Sequence, residues 1–309
     1  MALVDMSEVF RVLSNIPLEL LAVVLLLLSA DRVAMGLKWR HLVNGIRGPL
    51  RISDAIAIYY QSGFAALLLP TSVGGEVLRG LLGRRSGVPG HMVVASMVLE
   101  KLVAAVSSVV LAVLGTGFML GATETPLSGV LLALVGGSVV AVLAALVAAG
   151  SRRLHQRAGQ ILRRWVPERI SRELDQLSAK IVDYGRRPAL LRRNLIFNLG
   201  EHLLQFFALY VLGVAIGIEL GLLPFLAVTS VVMLVKRTAG FFESWGVAEG
   251  AGILLYSLFG VPQTLSVALA VGLWATSIMA ALPGGYLLCR NGLGLLYSGD
   301  DPAFAPVSR

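Results

Sequence analysis

Long apolar runs limit this chain more than any motif does. A helix needs about 20 predominantly apolar residues to cross a bilayer. Residues 17–35, 92–120, 127–149, 195–218 and 265–288 each reach or approach that length, the first opening on Pro17, which a helix start tolerates. Only 14% of the 309 residues are charged, against roughly a quarter in a soluble domain. Most of the chain must therefore face lipid or other helices, and the fold class expected is an all-α polytopic membrane protein. The only long polar stretch, 151–194, is too short for an independent catalytic domain. One membrane domain, 1–309, is expected: a first half (1–150), a basic loop (151–193), a second half (194–290) and a tail (291–309).

Two further apolar segments are defective in the same way. Residues 54–69 run into PTSVGGEVLRG, and residues 222–242 run into ESWGVAEGAGILLYSLFG. Each is an apolar helix, then a glycine-containing break bearing a glutamate near a base, then a short helix. They stand at corresponding places in the two halves, near 54–83 and 222–259. Interrupted segments so placed point to inverted repeats with a binding site between them. Both are expected to be re-entrant hairpins, with Pro70, Gly74 and Gly75 shaping the first break and Gly246 and Gly250 the second.

Charge fixes the expected orientation. Lys38, Arg40, Arg47 and Arg51 mark one loop, and Arg84 and Arg85 the next. Between Arg152 and Arg193 twelve Lys/Arg stand against four Asp/Glu, a surplus equal to the chain's whole net charge of +8. All three basic regions lie on the cytoplasmic side if the N-terminus is outside and the first break turns back. A full crossing there would strand Arg84 and Arg85 outside. Within the basic loop Ile170, Leu174, Leu177, Ile181 and Tyr184 recur at helical spacing, and Gly185 ends the run. Such a stripe fits either the anionic lipid surface or the flank of the bundle.

A charge near mid-bilayer costs at least about 2.5–3.5 kcal/mol, so each needs a partner or a wet cavity. Glu76 and Arg79 lie three apart, on one face of a helix that follows Gly75. They read either as an anion ligand held by its carboxylate or as an ion pair closing the hairpin. Lys236 and Arg237 point about 100° apart, so one faces a cavity while the other pairs with Glu243 or Glu249, unless both snorkel. Glu249 sits among small residues that allow close helix approach. Glu100 and Lys101, about 15 Å into their span by helical rise, are expected to pair with the first hairpin. Asp31, Arg32, Glu201 and His202 are expected nearer the cytoplasmic ends, in structural roles. Tyr59, Tyr60 and Phe64 read as core packing or the lining of a lipid path.

Several functions lack their residues. A single cysteine, Cys289, excludes an internal disulfide, and the four scattered histidines (His41, His91, His155, His202) offer no metal-ligand spacing. No phosphate-loop motif occurs, and the N-terminus, with Asp5 and Glu8, lacks the basic start of a signal peptide. No cofactor, metal, catalytic residue or nucleic-acid partner is expected.

The stretches LKWRHL, LLPTSVGGEVLRGLL, ASMVLEKL and GVAEGAGILLYSLFGVP resemble the lysylphosphatidylglycerol synthase membrane-domain family, also called flippase-like proteins. The resemblance runs from about Leu18 to Leu288. Members of that family usually open with one more transmembrane helix, which this chain is expected to lack. The second break reads FFESWGVAEG where a glycine-richer run is common, so Glu243 and Trp245 reshape it. Aminoacyl transfer needs a soluble domain that does not fit here. The resemblance thus implies a carrier, not a synthase: a lipid with an anionic headgroup (a phospholipid, an aminoacyl-phospholipid or a polyprenyl phosphate) moved across the cytoplasmic membrane of a prokaryote. Glu76, Arg79, Lys236, Arg237 and Glu249 would hold the headgroup, with Glu100, Lys101 and Glu243 in support. A membrane-embedded lipid-modifying enzyme, or an assembly subunit of a lipid-synthesis complex, is the alternative, and a homo-oligomer or a synthesis partner fits either.

Overall fold

The computed structural model describes residues 5–46, 48–68, 72–122, 127–151, 168–238 and 247–297. Those residues form helices α1 (Met6–Ser14), α2 (Leu18–Gly45), α3 (Ile52–Leu68), α4 (Ser72–Arg85), α5 (Gly90–Ala122), α6 (Ser128–Gly150), α7 (Glu168–Gly185), α8 (Pro188–Ala215), α9 (Leu222–Thr238), α10 (Val247–Ser257) and α11 (Gln263–Tyr297), with no strand among them. Pro70, Glu243, Trp245 and Gly246, named above for the two breaks, lie outside the described residues. Helices α2, α5, α6, α8 and α11 are long and apolar enough to cross a membrane. In the most apolar stretch of α6 only 17% of residues are buried, which leaves most of that helix for lipid.

The first span does not stop at Met35. Helix α2 continues to Gly45, so Lys38 and Arg40 are helical and do not mark a loop. The polar end of α2 is held because its exposed carbonyls find donors. The Tyr184 hydroxyl donates to Leu42 O at 3.0 Å, Asn194 Nδ2 to Lys38 O at 3.5 Å, and the Arg187 guanidinium to Gly45 O.

The same contacts settle where the amphipathic stripe of α7 goes. Tyr184 is fully buried with Leu42, Ile46, Ala95 and Leu99, and Leu177 and Ile181 pack on that cluster. The stripe is spent on α5 and the ends of α2 and α8, and the lipid-surface reading gives way to packing on the bundle. Burial and neighbouring Asp183 push the Tyr184 hydroxyl above its ordinary range against the opposing pull of Arg187.

Helices meet across the two halves. Helix α2 packs along α8, α3 on α11, and α9 on α5, while α3–α4 and α9–α10 pack as pairs. Two glycines set the closest crossings. A Cβ on Gly115 of α5 would stand 2.6 Å from Ala227 O and collide with the Ser230 hydroxyl of α9. One on Gly284 of α11 would collide with Tyr60 O of α3. Tyr60 and Ser230 hold the same ordinal place in two helices of 17 residues each.

The largest apolar cluster belongs to the second half: Leu212, Phe225, Val228, Val231, Leu255 and Tyr256, joined by Val24 and Leu28 of α2 and Val9 of α1. Helix α1 starts at Asp5, whose carboxylate accepts from Ser7 N–H at 2.9 Å and caps the helix.

Candidate functional site

Helices α2, α4, α5, α8 and α9 bring their charged side chains to one place. Arg79, on α4, lies buried between aromatic faces, 4.9 Å from the Tyr59 ring and 5.7 Å from the Trp39 ring. Its Nη1 donates to Glu100 Oε2 at 2.8 Å and to the Tyr59 hydroxyl, which in turn donates to Glu100 Oε1. Trp39 is fixed by its indole N–H, which donates to Ser96 Oγ at 2.9 Å. Lys38, 2% exposed, reaches Glu201 and lies 3.5 Å from Glu100 Oε1. Buried charges persist only when paired, and this network pairs two cations with two carboxylates across four helices.

A cavity of about 250 Å³ opens beside the network. Lys38, Arg79, Lys101 and Arg237 line it, as do Glu76, Glu100 and Glu201. Lys101 and Glu76 form an ion pair of 2.5 Å at its more exposed edge. Among the described residues of the lining, four cations stand against three carboxylates. Arg237 makes the difference: its Nε is buried without a hydrogen-bond partner. A buried guanidinium N–H without an acceptor is costly, and a bound anion would supply one.

The wall of the first helix pair is glycine for a steric reason. A Cβ on Gly75 would lie 2.6 Å from Ser62 O and 2.7 Å from the Ala66 methyl, so only glycine lets α4 fold back this closely on α3. Gly74 lies in the same first turn of α4 and is half-buried.

The expected site is partly redrawn. Glu76 does not hold Arg79; it pairs with Lys101, and Glu100 and Tyr59 hold Arg79 instead. Spacing of three on one helix is outcompeted because α5 presents a carboxylate directly to the buried guanidinium. Glu100 and Lys101 each meet α4, through different partners. Lys236 and Arg237 separate as adjacent helical residues must: Lys236 is exposed, and Arg237 turns into the cavity. The described part of α9 runs to Thr238, with the two bases in its last turn.

Of the second break, only the residues from Val247 onward are described. Glu249 does not line the cavity, and a Cβ on Gly250 would meet open space, so Gly250 is not where helices approach closely. Glu201 moves the other way. It lies at the middle of α8, 6% exposed, and faces the cavity; a cytoplasmic-end structural role does not fit it. His202 turns from the cavity and meets Ser107 Oγ at 3.0 Å.

Lys38, Trp39 and Glu201 are the residues that sequence reasoning missed. Lys38 and Trp39 sit in LKWRHL, which looked like the basic end of a span. The available signal was helical: Met35, Lys38 and Trp39 follow the apolar i, i+3, i+4 spacing of the span.

A family profile described as the lysylphosphatidylglycerol synthase TM region matches residues 1–284. No curated protein and no solved structure matches the chain.

Proposed function

This chain belongs to the family of the lysylphosphatidylglycerol synthase TM region, and from that premise we propose that it moves a lipid with an anionic headgroup across the cytoplasmic membrane of a prokaryote. The observation that carries the reading is the buried, unpartnered Arg237 Nε–H at a cavity whose described residues hold four cations and three carboxylates. The headgroup phosphate takes that N–H and displaces part of the pairing around Arg79 and Lys38, while the acyl tails stay in lipid. The chain does this without covalent chemistry of its own, alone or beside a lipid-synthesis partner.

Inverted repeats are part of the proposal. Exchanging the halves maps α2 onto α8, α3 onto α9, α4 onto α10 and α5 onto α11. Under that exchange the α3–α11 packing becomes α9–α5, and α2–α8 maps onto itself. The step from Leu18 to Pro188 equals the step from Ile52 to Leu222, so these two pairs also keep register. Five spans with two re-entrant pairs, α3–α4 and α9–α10, then leave the N-terminus outside. The ends of α2 and α4 and the whole of α7, with their arginines, lie on the cytoplasmic side.

Liposomes holding a fluorescent anionic lipid, with external quenching, test the function; a zwitterionic lipid with the same tails is the control. Arg237→Ala is expected to slow movement of the anionic lipid by at least about tenfold, the loss of one charge-assisted contact of about 1.5–3 kcal/mol. Lys236→Ala is expected to stay near wild type. Arg79→Lys keeps the charge but loses the planar fork and should slow movement less than Arg79→Ala. Equal rates in wild type, Arg237→Ala and Arg79→Ala would make these charges structural. Orientation is read separately: in a Cys289→Ala background, a cysteine at Arg84 should resist an impermeant thiol reagent applied outside.

A further inference from the structure

A second cavity lies outside the charged network, in the seam between α2 and α8. The two helices run antiparallel, as three contacts along the seam show. Lys38 pairs with Glu201, the His41 ring centroid lies 5.8 Å from that of Phe197, and a Cβ on Gly45 would collide with Leu190. At the level of the middle contact the seam opens into a cavity of about 320 Å³ lined by His41, Arg193, Ile196 and Phe197. Among the described residues it shares no lining with the cavity of the charged network. Both helices cross the membrane, and Ile196 and Phe197 are exposed, so the opening faces lipid.

The chemistry of this groove changes with depth. Arg193 stands five residues inside the start of α8, and His41 four residues before the end of α2. Both therefore lie within about 8 Å of one membrane edge by helical rise, the depth of lipid headgroups. Arg193 is exposed, and His41 Nε2 has no hydrogen-bond partner. Farther from the edge the wall is apolar. On one face of α8, Ile196 is followed at helical spacing by Gly200, Leu203 and Phe207, and Phe197 flanks that face. Leu203 and Phe207 are exposed, and a Cβ on Gly200 would meet open space, which leaves a trough between larger side chains.

Positive charge at the edge and an apolar trough leading inward match the polarity of a phospholipid standing in its leaflet. Basic pockets between membrane helices recognise anionic headgroups in this way. The described lining holds an arginine and a histidine and no carboxylate. An ammonium group on the headgroup would meet no acid there, so a headgroup whose only charge is its phosphate fits best.

We propose that the α2–α8 groove holds a resident anionic phospholipid, its phosphate on Arg193 and His41 and one acyl chain along Phe197, Gly200 and Leu203. This lipid is not the cargo. It joins α2 to α8 from the lipid side, about one helical turn from the Lys38–Glu201 pair, and stabilises the crossing because it binds only the folded protein. In the orientation proposed above it belongs to the cytoplasmic leaflet. The site does not rest on the lipid-carrier reading.

Native mass spectrometry of the full chain in detergent, with dioleoyl phosphatidylglycerol or dioleoyl phosphatidylcholine added, counts the lipids retained. Arg193→Ala is expected to weaken retention of one phosphatidylglycerol by about tenfold, through loss of a charge-assisted contact. Arg237→Ala should keep that lipid, which separates the groove from the cavity of the charged network. Gly200→Leu fills the trough and should expel the same lipid with Arg193 intact. Phosphatidylglycerol should also raise the melting temperature of wild type more than that of Arg193→Ala, and inorganic phosphate should raise neither. Equal retention by wild type, Arg193→Ala and Gly200→Leu overturns the site. Loss in Arg237→Ala but not in Arg193→Ala gives the bound lipid to the other cavity and overturns it too. Phosphatidylcholine held as well as phosphatidylglycerol overturns the anionic selectivity, and stabilisation by inorganic phosphate alone overturns the lipid as occupant. A chain that moves no lipid yet loses one with Arg193→Ala upholds the groove and ends the carrier reading.

Discussion

The first helix pair, α3–α4, and the second, α9–α10, occupy corresponding places and are cemented by opposite chemistry. At the eighth residue of α3, Tyr59 bridges Arg79 to Glu100. At the eighth residue of α9, Thr229 shares a 2.8 Å hydrogen bond with the Tyr256 hydroxyl, beside an aromatic cluster. The Phe225 ring centroid stands 5.2 Å from that of Tyr256 and 5.3 Å from that of Tyr210. One half therefore keeps a polar cavity at a position where the other keeps a filled core. Under the proposed inverted repeat, the two halves have specialised. Among the described residues, the apolar half lends Glu201 and Arg237 to the cavity. The charged half supplies most of the site and carries the cost of burying it.

That contrast can be broken, and the hardest blow falls on the charged side. Glu100→Ala leaves Arg79 and part of Lys38 uncompensated in the interior, and should destabilise the protein by about 3–5 kcal/mol. Heating in detergent, followed by the folded fraction on size exclusion, measures it. A melting temperature unchanged from wild type would mean the network is too wet to need its carboxylate.

Next come the crossings shared by both halves, which sharpen the comparison by treating them alike. Gly115→Val and Gly284→Val each force a side chain onto facing backbone and should each cost about 1–3 kcal/mol in the same assay. If only one of them does, the two crossings are not equivalent.

A smaller effect is expected where α9 and α10 share the Thr229–Tyr256 hydrogen bond. Tyr256→Phe removes one hydrogen bond, worth about 0.6–1 kcal/mol, and should leave anionic-lipid movement intact. Tyr59→Phe at the corresponding contact of the first half should slow that movement, because Arg79 loses its bridge to Glu100. Equal transport in both variants would erase the functional difference between the pairs.

The smallest change is expected at Gly250, where a methyl group meets open space. Gly250→Ala should stay within about 0.5 kcal/mol of wild type. Gly75→Ala, which meets Ser62 O and Ala66, should be clearly worse. A large loss at Gly250 would show that the second break is as tightly packed as the first.

The sequence by itself determined the membrane character, the order of spans, the two interrupted segments and the family, because apolar run length and glycine-bearing breaks are local properties of the chain. It also placed Arg79, Glu100, Lys101 and Arg237 among the functional candidates, since a charge within an apolar run is costly wherever the helix goes. Partners were another matter. Glu76 next to Arg79 looked like a pair on one helix, yet the structure gives Arg79 to Glu100 on α5 and Glu76 to Lys101. Lys38 looked like the basic end of a span until the antiparallel packing of α8 laid Glu201 over it. Glu249, as legible as Glu76 in sequence, does not line the cavity. Only the tertiary structure decided these, because the free energy of a buried charge depends on which opposite charge another helix brings within a few ångströms, and no local spacing carries that information.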